Sequence, residues 1–201
     1  MSDAGLTLVG AGGHARSLLA LLSRLALDVS QIVDPAARPD EQVMGIPVRL
    51  QPTQLSGPLV LAIGDNLKRQ QAFLQWTAEL YQPLLQAPDA LVDPSARFGI
   101  ANQVLSGCYI GPQVVAGDNN LFNTRCIVEH EVQLGSHCHI AVAAILLGRA
   151  QLGDRCMIGA GAVVRDGVRL GNDVILGAQA FAAADLLEPG VYAGVPARKI
   201  K

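Results

Sequence analysis

Charge is scarce in this chain of 201 residues: 15 lysines and arginines stand against 17 aspartates and glutamates, for a net charge of −2. No block or stripe of basic residues occurs, which argues against a nucleic-acid partner. No apolar run approaches the length of a bilayer span. The first residues, Met1-Ser2-Asp3-Ala4-Gly5-Leu6-Thr7-Leu8, lack a basic segment ahead of their apolar stretch. No secretory signal peptide is therefore expected, and the expected location is the cytoplasm. Cysteines number only four. Half of the residues are apolar, enough for a packed core in one or two domains.

What the chain does carry is a six-residue beat. Every sixth residue from Val92 through Ile110, Val128 and Leu146 to Leu176 is apolar, and only Ala116 among them is small. Four places after each comes a second series, from Ala96 and Asn102 to Ala180, whose members are all small or slim. Neither a helix of period 3.6 nor a strand of period 2 holds this register. Hexads of this kind mark a parallel β-helix, with three hexads to a triangular coil of eighteen residues. Fifteen hexads fill five coils, and the beat is expected to stop after Phe181. Residues 185–201 then form a tail; this tail or a neighbouring subunit is expected to cover the last coil.

The beat places the cysteines. Cys108, Cys126, Cys138 and Cys156 all fall in the slim inward series, with Cys108 stacked on Cys126 and Cys138 on Cys156. Strands ~4.8 Å apart make a disulfide conceivable, but a reduced thiol serving as a small hydrophobe is the better reading. Asn102 and Asn120 share a column with Cys138, Cys156 and Val174, an internal ladder that turns from polar to apolar.

Ahead of the beat, strands and helices alternate. Leu6–Val9 reads as a strand running into the glycine turn Gly10-Ala11-Gly12-Gly13, followed by a helix from His14 to about Leu27. Residues 31–34 form a second strand, 45–48 a short extended piece, 59–63 a buried strand ending at Gly64, and 66–80 a helix carrying Phe73 and Trp76. This alternation predicts a small Rossmann-like α/β unit with a parallel sheet. The domains are therefore 1–86 and 87–201.

Three of the four histidines fall within residues 128–139, and none occupies an inward position. His130 sits at a corner between Glu129 and Glu131. A neighbouring carboxylate fixes the tautomer and raises basicity, as a general base needs; the alternative is a solvated surface histidine. Gly148 lies one coil above His130. It either leaves room and offers a backbone N–H to a developing oxyanion, or merely serves a corner that needs positive φ. His139 is half a coil round from His130, so a site using both draws them from different subunits, most simply in a trimer. His137 reads as surface. Zinc is disfavoured because the cysteines point inward and the histidines outward, and no metal is expected. In the first unit, Gly12, Gly13 and His14 open a helix after a strand, where phosphate binds well, and Asp34 at the end of the next strand is placed for a ribose hydroxyl. A turn residue and a cap are the alternative readings of His14 and Asp34. Fewer than ninety residues suit a nucleotide-linked sugar better than a full dinucleotide.

Four segments together resemble a known family: Gly10-Ala11-Gly12-Gly13-His14, Ala62-Ile63-Gly64-Asp65-Asn66, residues 123–131 with Glu129-His130-Glu131, and Gly194-Val195-Pro196-Ala197-Arg198. They are similar to bacterial sugar acetyltransferases of the sialic-acid O-acetyltransferase type, which include the nucleotide-amino-sugar N-acetyltransferases of bacillosamine and perosamine synthesis. The resemblance implies a left-handed parallel β-helix, a homotrimer and acetyl-CoA as co-substrate. It implies that His130 is the base and that Glu131 raises its basicity. It assigns His139 to acetyl-CoA, the Gly148 N–H to the thioester oxygen, and Ala160 and Ala178 to the CoA pocket. Gly12, Gly13, His14, Asp34 and Gly64 would hold the nucleotide sugar. Pro35 follows Asp34 where some relatives carry a second acidic residue. The expected reaction is acetyl transfer from acetyl-CoA to the amine of a nucleotide-linked amino sugar. O-acetylation of a sialic acid or related hydroxyl, a non-catalytic sugar-nucleotide-binding protein and a zinc hydratase are the alternatives.

Overall fold

The computed structural model describes residues 5–55 and 57–201. The expectation about a signal peptide rests partly on residues 1–4 and lies outside the described residues. Backbone contacts divide the chain into two units, Met1–Gln82 and Pro83–Lys201.

The first unit is a five-stranded sheet with helices. Its elements are β1 (Leu6–Val9), α1 (Gly13–Arg24), β2 (Val29–Asp34), β3 (Gln42–Val43), β4 (Ile46–Leu50), β5 (Leu59–Leu61) and α2 (Asn66–Gln75). The strand order is β3-β4-β2-β1-β5. β1 pairs in parallel with β2 and β5, β2 with β4, and only the short β3 runs antiparallel. The strands β1 and β5 are buried along their whole length, which is why β5 reads as an unbroken aliphatic run and β1 as one interrupted only by the buried Thr7. α1 buries Ala15, Leu18, Leu19, Leu21 and Leu22, an i, i+3, i+4 stripe, and turns Arg16, Ser17 and Ser23 outward. It stops at Arg24, short of the expected Leu27, because Ala26 takes a left-handed φ of 53°. α2 likewise ends at Gln75, and a 3₁₀ turn (Thr77–Glu79) replaces its expected last turn.

The second unit is a three-sided solenoid. Its short strands recur every six residues and pair in parallel with strands eighteen residues away, as in Tyr109↔Ile127, Val115↔Gln133 and Leu121↔His139. The strands run from Leu85–Gln86 to Phe181–Ala182, one beyond the expected series at each end. Gln86 hid the first because it is polar where the beat is apolar; its neighbour Leu85 supplies the buried side chain. For this reason the boundary lies at Gln82/Pro83, ahead of the expected 86/87. The tail extends one wall: Gly190–Ala193 pairs in parallel with Val174–Leu176, and Arg198–Lys199 folds back antiparallel on it.

Corners follow from the hexad. From Phe98 onward the residue three places after the apolar position takes a left-handed φ, between 55° and 63° at Asn119, Arg125, Glu131, His137, Ala143 and Arg149. Such a conformation costs a non-glycine residue about 1 kcal/mol. The backbone N–H of each is tied to the coil before, as in Glu131 N–H to Pro112 O and Arg149 N–H to His130 O. Inside, the slim series is buried throughout from Asn102 to Ala180. Asn102 Oδ1 accepts from Asn120 N–H, and Asn120 Oδ1 accepts from Cys138 N–H, while Asn120 Nδ2 donates to the carbonyls of Gly117 and Gly135. All four cysteines are free and buried. Cys108 and Cys126 stand 3.5 Å apart, and this contact together with burial pushes the Cys126 thiol well above the usual thiol range.

The outward positions of one wall form a continuous apolar column: Leu91, Tyr109, Ile127, Ile145, Val163 and Phe181. Leu91 is 69% exposed and Tyr109 36%.

Candidate active site

In the first unit the glycine turn closes the end of β1. Gly10 has φ of +108°, and a Cβ there would stand 2.9 Å from the Ala62 carbonyl, so only glycine lets β1 and β5 end side by side. Asp34, at the end of β2, accepts hydrogen bonds from the N–H groups of Ala11 and Ala36, each 2.8 Å. It pins the turn, so the turn reading of Asp34 holds in its structural part. A pocket of about 600 Å³ opens over the strand ends, lined by Gly12, Gly13, His14, Asp34, Gly64 and Lys68 among others. It sits where β1 has β2 on one side and β5 on the other, the switch point at which open α/β sheets take ligands. Nothing lies within 4 Å of a Cβ at Gly12, Gly13 or Gly64, so backbone is presented directly to whatever enters. All five residues expected to hold a nucleotide sugar therefore line one cavity.

Sequence reasoning missed the buttress behind it. Arg69 is 1% exposed and donates to the carbonyls of Ile63 and Gly64 and to Asn66 Oδ1. It fixes the loop after β5 from within. The signal was a charge three residues after Asn66 on a helix face otherwise used for packing.

In the solenoid, His130 occupies an outer corner. Its Nδ1 meets Glu131 Oε2 at 2.9 Å, the two side chains being 45% and 48% exposed. A carboxylate can only accept, so Nδ1 carries the hydrogen and Nε2 presents its lone pair. Glu131 reaches its neighbour because it holds the left-handed corner conformation. Gly148 lies directly above. A Cβ there would stand 2.5 Å from His130 Cε1 and 2.6 Å from Nε2. Gly148 does not take a positive φ, so it is not a corner that needs one; glycine makes room, here for the imidazole itself. Among the described residues the Gly148 N–H donates to no other group.

His139 stands on a different wall, on the strand His139–Ile140. Asn123 Oδ1 accepts from Thr124 N–H, which turns Asn123 Nδ2 towards His139 Nε2 at 3.1 Å. The hydrogen of the neutral ring is therefore on Nδ1. Within one chain His130 and His139 are not brought together, as expected from their nine-residue separation, half a coil. Ala160 and Ala178 stack on one exposed corner, one coil apart. His137 departs from expectation. It is 7% exposed, not a surface residue, and its Nδ1 meets Asn119 Nδ2 at 2.9 Å. Its corner conformation and the equally buried Asn119 one coil below draw the ring inward. Among the described residues no group of three or more His, Cys, Asp or Glu side chains is placed to hold a metal ion. No described helix is long and apolar enough to cross a membrane.

Two family matches follow this division. The PglD N-terminal domain matches residues 5–75, and the bacterial transferase hexapeptide (six repeats) matches residues 149–181. Among solved structures, PerB from Caulobacter crescentus, in complex with CoA and GDP-perosamine, is 32% identical, with 100% of this chain and 99% of that chain covered and a TM-score of 0.89. The acetyltransferase domain of PglB from Neisseria gonorrhoeae, in complex with acetyl coenzyme A, is 30% identical over 99% of this chain and 100% of that chain, with a TM-score of 0.87. This chain belongs to the hexapeptide-repeat sugar acetyltransferase family. WeeI from Acinetobacter baumannii, 17% identical over 98% of this chain and 100% of that chain with a TM-score of 0.79, shares the fold. A search of curated proteins gives no match. The fold of the family is an N-terminal parallel-sheet domain and a left-handed β-helix, as the strand–helix alternation and the family resemblance implied.

Proposed function

We propose that the chain transfers the acetyl group of acetyl-CoA to the amine of a nucleotide-linked amino sugar. The observation that carries this reading is the His130–Glu131 pair, with Nδ1 turned to the carboxylate and Nε2 turned to the space below Gly148, in a chain whose relatives include structures with CoA and GDP-perosamine bound. In this reading the pocket over β1, β2 and β5 holds the nucleotide. Gly12, Gly13 and the N-terminus of α1 face its phosphates, and Asp34 faces the ribose. His130 Nε2 takes the proton that the amine loses as its nitrogen bonds to the thioester carbon. Glu131 stabilises the imidazolium so formed. The Gly148 N–H meets the carbonyl oxygen as negative charge develops there. The carbon–sulfur bond then breaks, and the departing thiolate takes the proton back from the His130 imidazolium, so that CoA leaves as the thiol and the base is restored. The cysteines are sealed inside the coil, so no covalent acyl-enzyme is invoked.

The same reading makes the enzyme a homotrimer, with His139 of one protomer completing the site of its partner beside Ala160 and Ala178 at the CoA. Two facts support it: the half-coil separation of His130 and His139, and the apolar column from Leu91 to Phe181. The same reading places the enzyme in the cytoplasm.

The test is turnover with acetyl-CoA and a panel of UDP-, GDP- and dTDP-linked amino sugars, with products weighed. His130→Ala is expected to lower kcat by ~10²–10⁴, the contribution of a general base. Near-normal turnover by that variant removes the assignment. Release of no thiol with any amino sugar favours a binding protein, and an active monomer by sedimentation removes the trimer.

A further inference from the structure

The corner that carries His130 continues upward as a column of stacked residues. Pro112, His130, Gly148 and Asp166 are eighteen residues apart and share one column. Because Gly148 has no side chain, the imidazole below and the carboxylate above approach the same empty space. A Cβ built at Gly148 would stand 2.6 Å from His130 Nε2 and 3.1 Å from Asp166 Oδ2. Asp166 is in turn held from the side: Arg149 Nη2 donates to both of its oxygens, each at 2.8 Å. Arg149 stands one coil above Glu131 in the neighbouring column, and its guanidinium is held in the charged form chiefly by its hydrogen bonds to Asp166 and, to a lesser extent, by the charge of Glu131. The charged groups around the ring are thus Glu131 on the Nδ1 side, Asp166 on the Nε2 side and Arg149 linking the two.

We propose that Asp166 is a positioning residue for His130, a second carboxylate on the Nε2 side whose field is set by its pairing with Arg149. The proposal rests on the general-base reading above. When Nε2 takes the proton of the acceptor amine, the new positive charge lies between two carboxylates, Glu131 and Asp166. Asp166 favours the protonated ring, and Arg149 offsets part of that attraction while keeping the carboxylate in place. Removing either partner therefore pushes the ring in opposite directions. Without the Asp166 charge, Arg149 is left as an unbalanced cation near the ring. Without Arg149, Asp166 acts at full strength.

The test uses Asp166→Asn and Arg149→Met, both at exposed positions, with folding checked by thermal melting. The first readout is independent of turnover: an NMR titration of the His130 Cε1–H in the unliganded protein. Asp166→Asn is expected to move the titration midpoint down by roughly one unit, the lower end of the effect of a charge within ~4–6 Å, and Arg149→Met to move it up. The acidic limb of the pH–rate profile follows each shift. The second readout is a double-mutant cycle. Asp166→Asn is expected to lower kcat about tenfold in the wild-type background and not at all in His130→Ala, since its effect passes through the ring. Unchanged or parallel titration shifts in the two variants, or equal losses in both backgrounds, overturn the proposal. Full activity of His130→Ala alone overturns the general-base reading, whereas the ring titration still reports whether Asp166 acts on His130.

Discussion

Gly148→Ala isolates what the glycine above His130 does. The added methyl would stand 2.5 Å from Cε1 and 2.6 Å from Nε2 of the imidazole. Ordinary carbon contact is ~3.5 Å, so the ring must retreat by about 1 Å. The ring is the free end of a half-exposed side chain, and it yields more readily than backbone does. The backbone at 148 avoids positive φ, and alanine there also lowers the entropy of the unfolded chain, worth ~0.4–1 kcal/mol in favour of folding. Stability should therefore change little, and the melting temperature should stay within about 4 °C of wild type. Catalysis should not survive as well, because a general base displaced by ~1 Å loses about 10²-fold in rate. Gly111 is the control. It lies two coils below Leu147, next to the Gly148 column, and a Cβ there would stand 2.9 Å from His130 N and 3.0 Å from Glu129 C. Those are backbone atoms that the ladder holds fast, so Gly111→Ala should cost stability, about 1–3 kcal/mol. The assay is kcat with saturating acetyl-CoA and amino sugar beside a thermal melt of each variant. A Gly148→Ala enzyme with wild-type kcat, or one that melts as early as Gly111→Ala, would refute the reasoning.

Three further outcomes follow from the geometry. Asn120→Ala leaves the buried Cys138 N–H and Gly135 carbonyl without their partner and should lower the unfolding free energy by about 3 kcal/mol, read from the urea midpoint; a loss under ~1 kcal/mol would contradict it. Asp34→Ala frees the turn that Ala11 anchors and is expected to raise the KM for the nucleotide sugar about tenfold or more, the value of one charge-assisted hydrogen bond, with the KM for acetyl-CoA unchanged; the reverse pattern would place Asp34 elsewhere. The Asp173 carboxyl is held below its usual range chiefly by its hydrogen bonds from Arg155. Its folded value is lowered, so the stability it contributes is complete above the unfolded value of about 4 and is lost as pH falls through the folded value. The melting difference between wild type and Asp173→Asn should accordingly be present at pH 7 and vanish in strong acid, and a difference that grows as pH falls would reverse the sign.

The order of the solenoid was written in the residues. Its register, inward cysteines, asparagine ladder and half-coil separation of His130 from His139 all follow from a period that no insertion breaks, because each coil must pair residue for residue with the next. The glycine turn and Asp34 were likewise visible, since a strand end, a tight turn and a helix start leave local marks. Other features depend on where side chains point after stacking. His137 is buried because a left-handed corner aims its ring at Asn119. Gly148 is a space for an imidazole one coil away, not a turn requirement. Arg69 holds the pocket loop from inside, and Asp166 and His130 face the same space at Gly148 from two coils apart. Periodicity determines which residues share a column; only the folded chain decides what the side chains in that column do to one another, because that depends on rotamers, on missing Cβ atoms and on charges brought within a few ångströms.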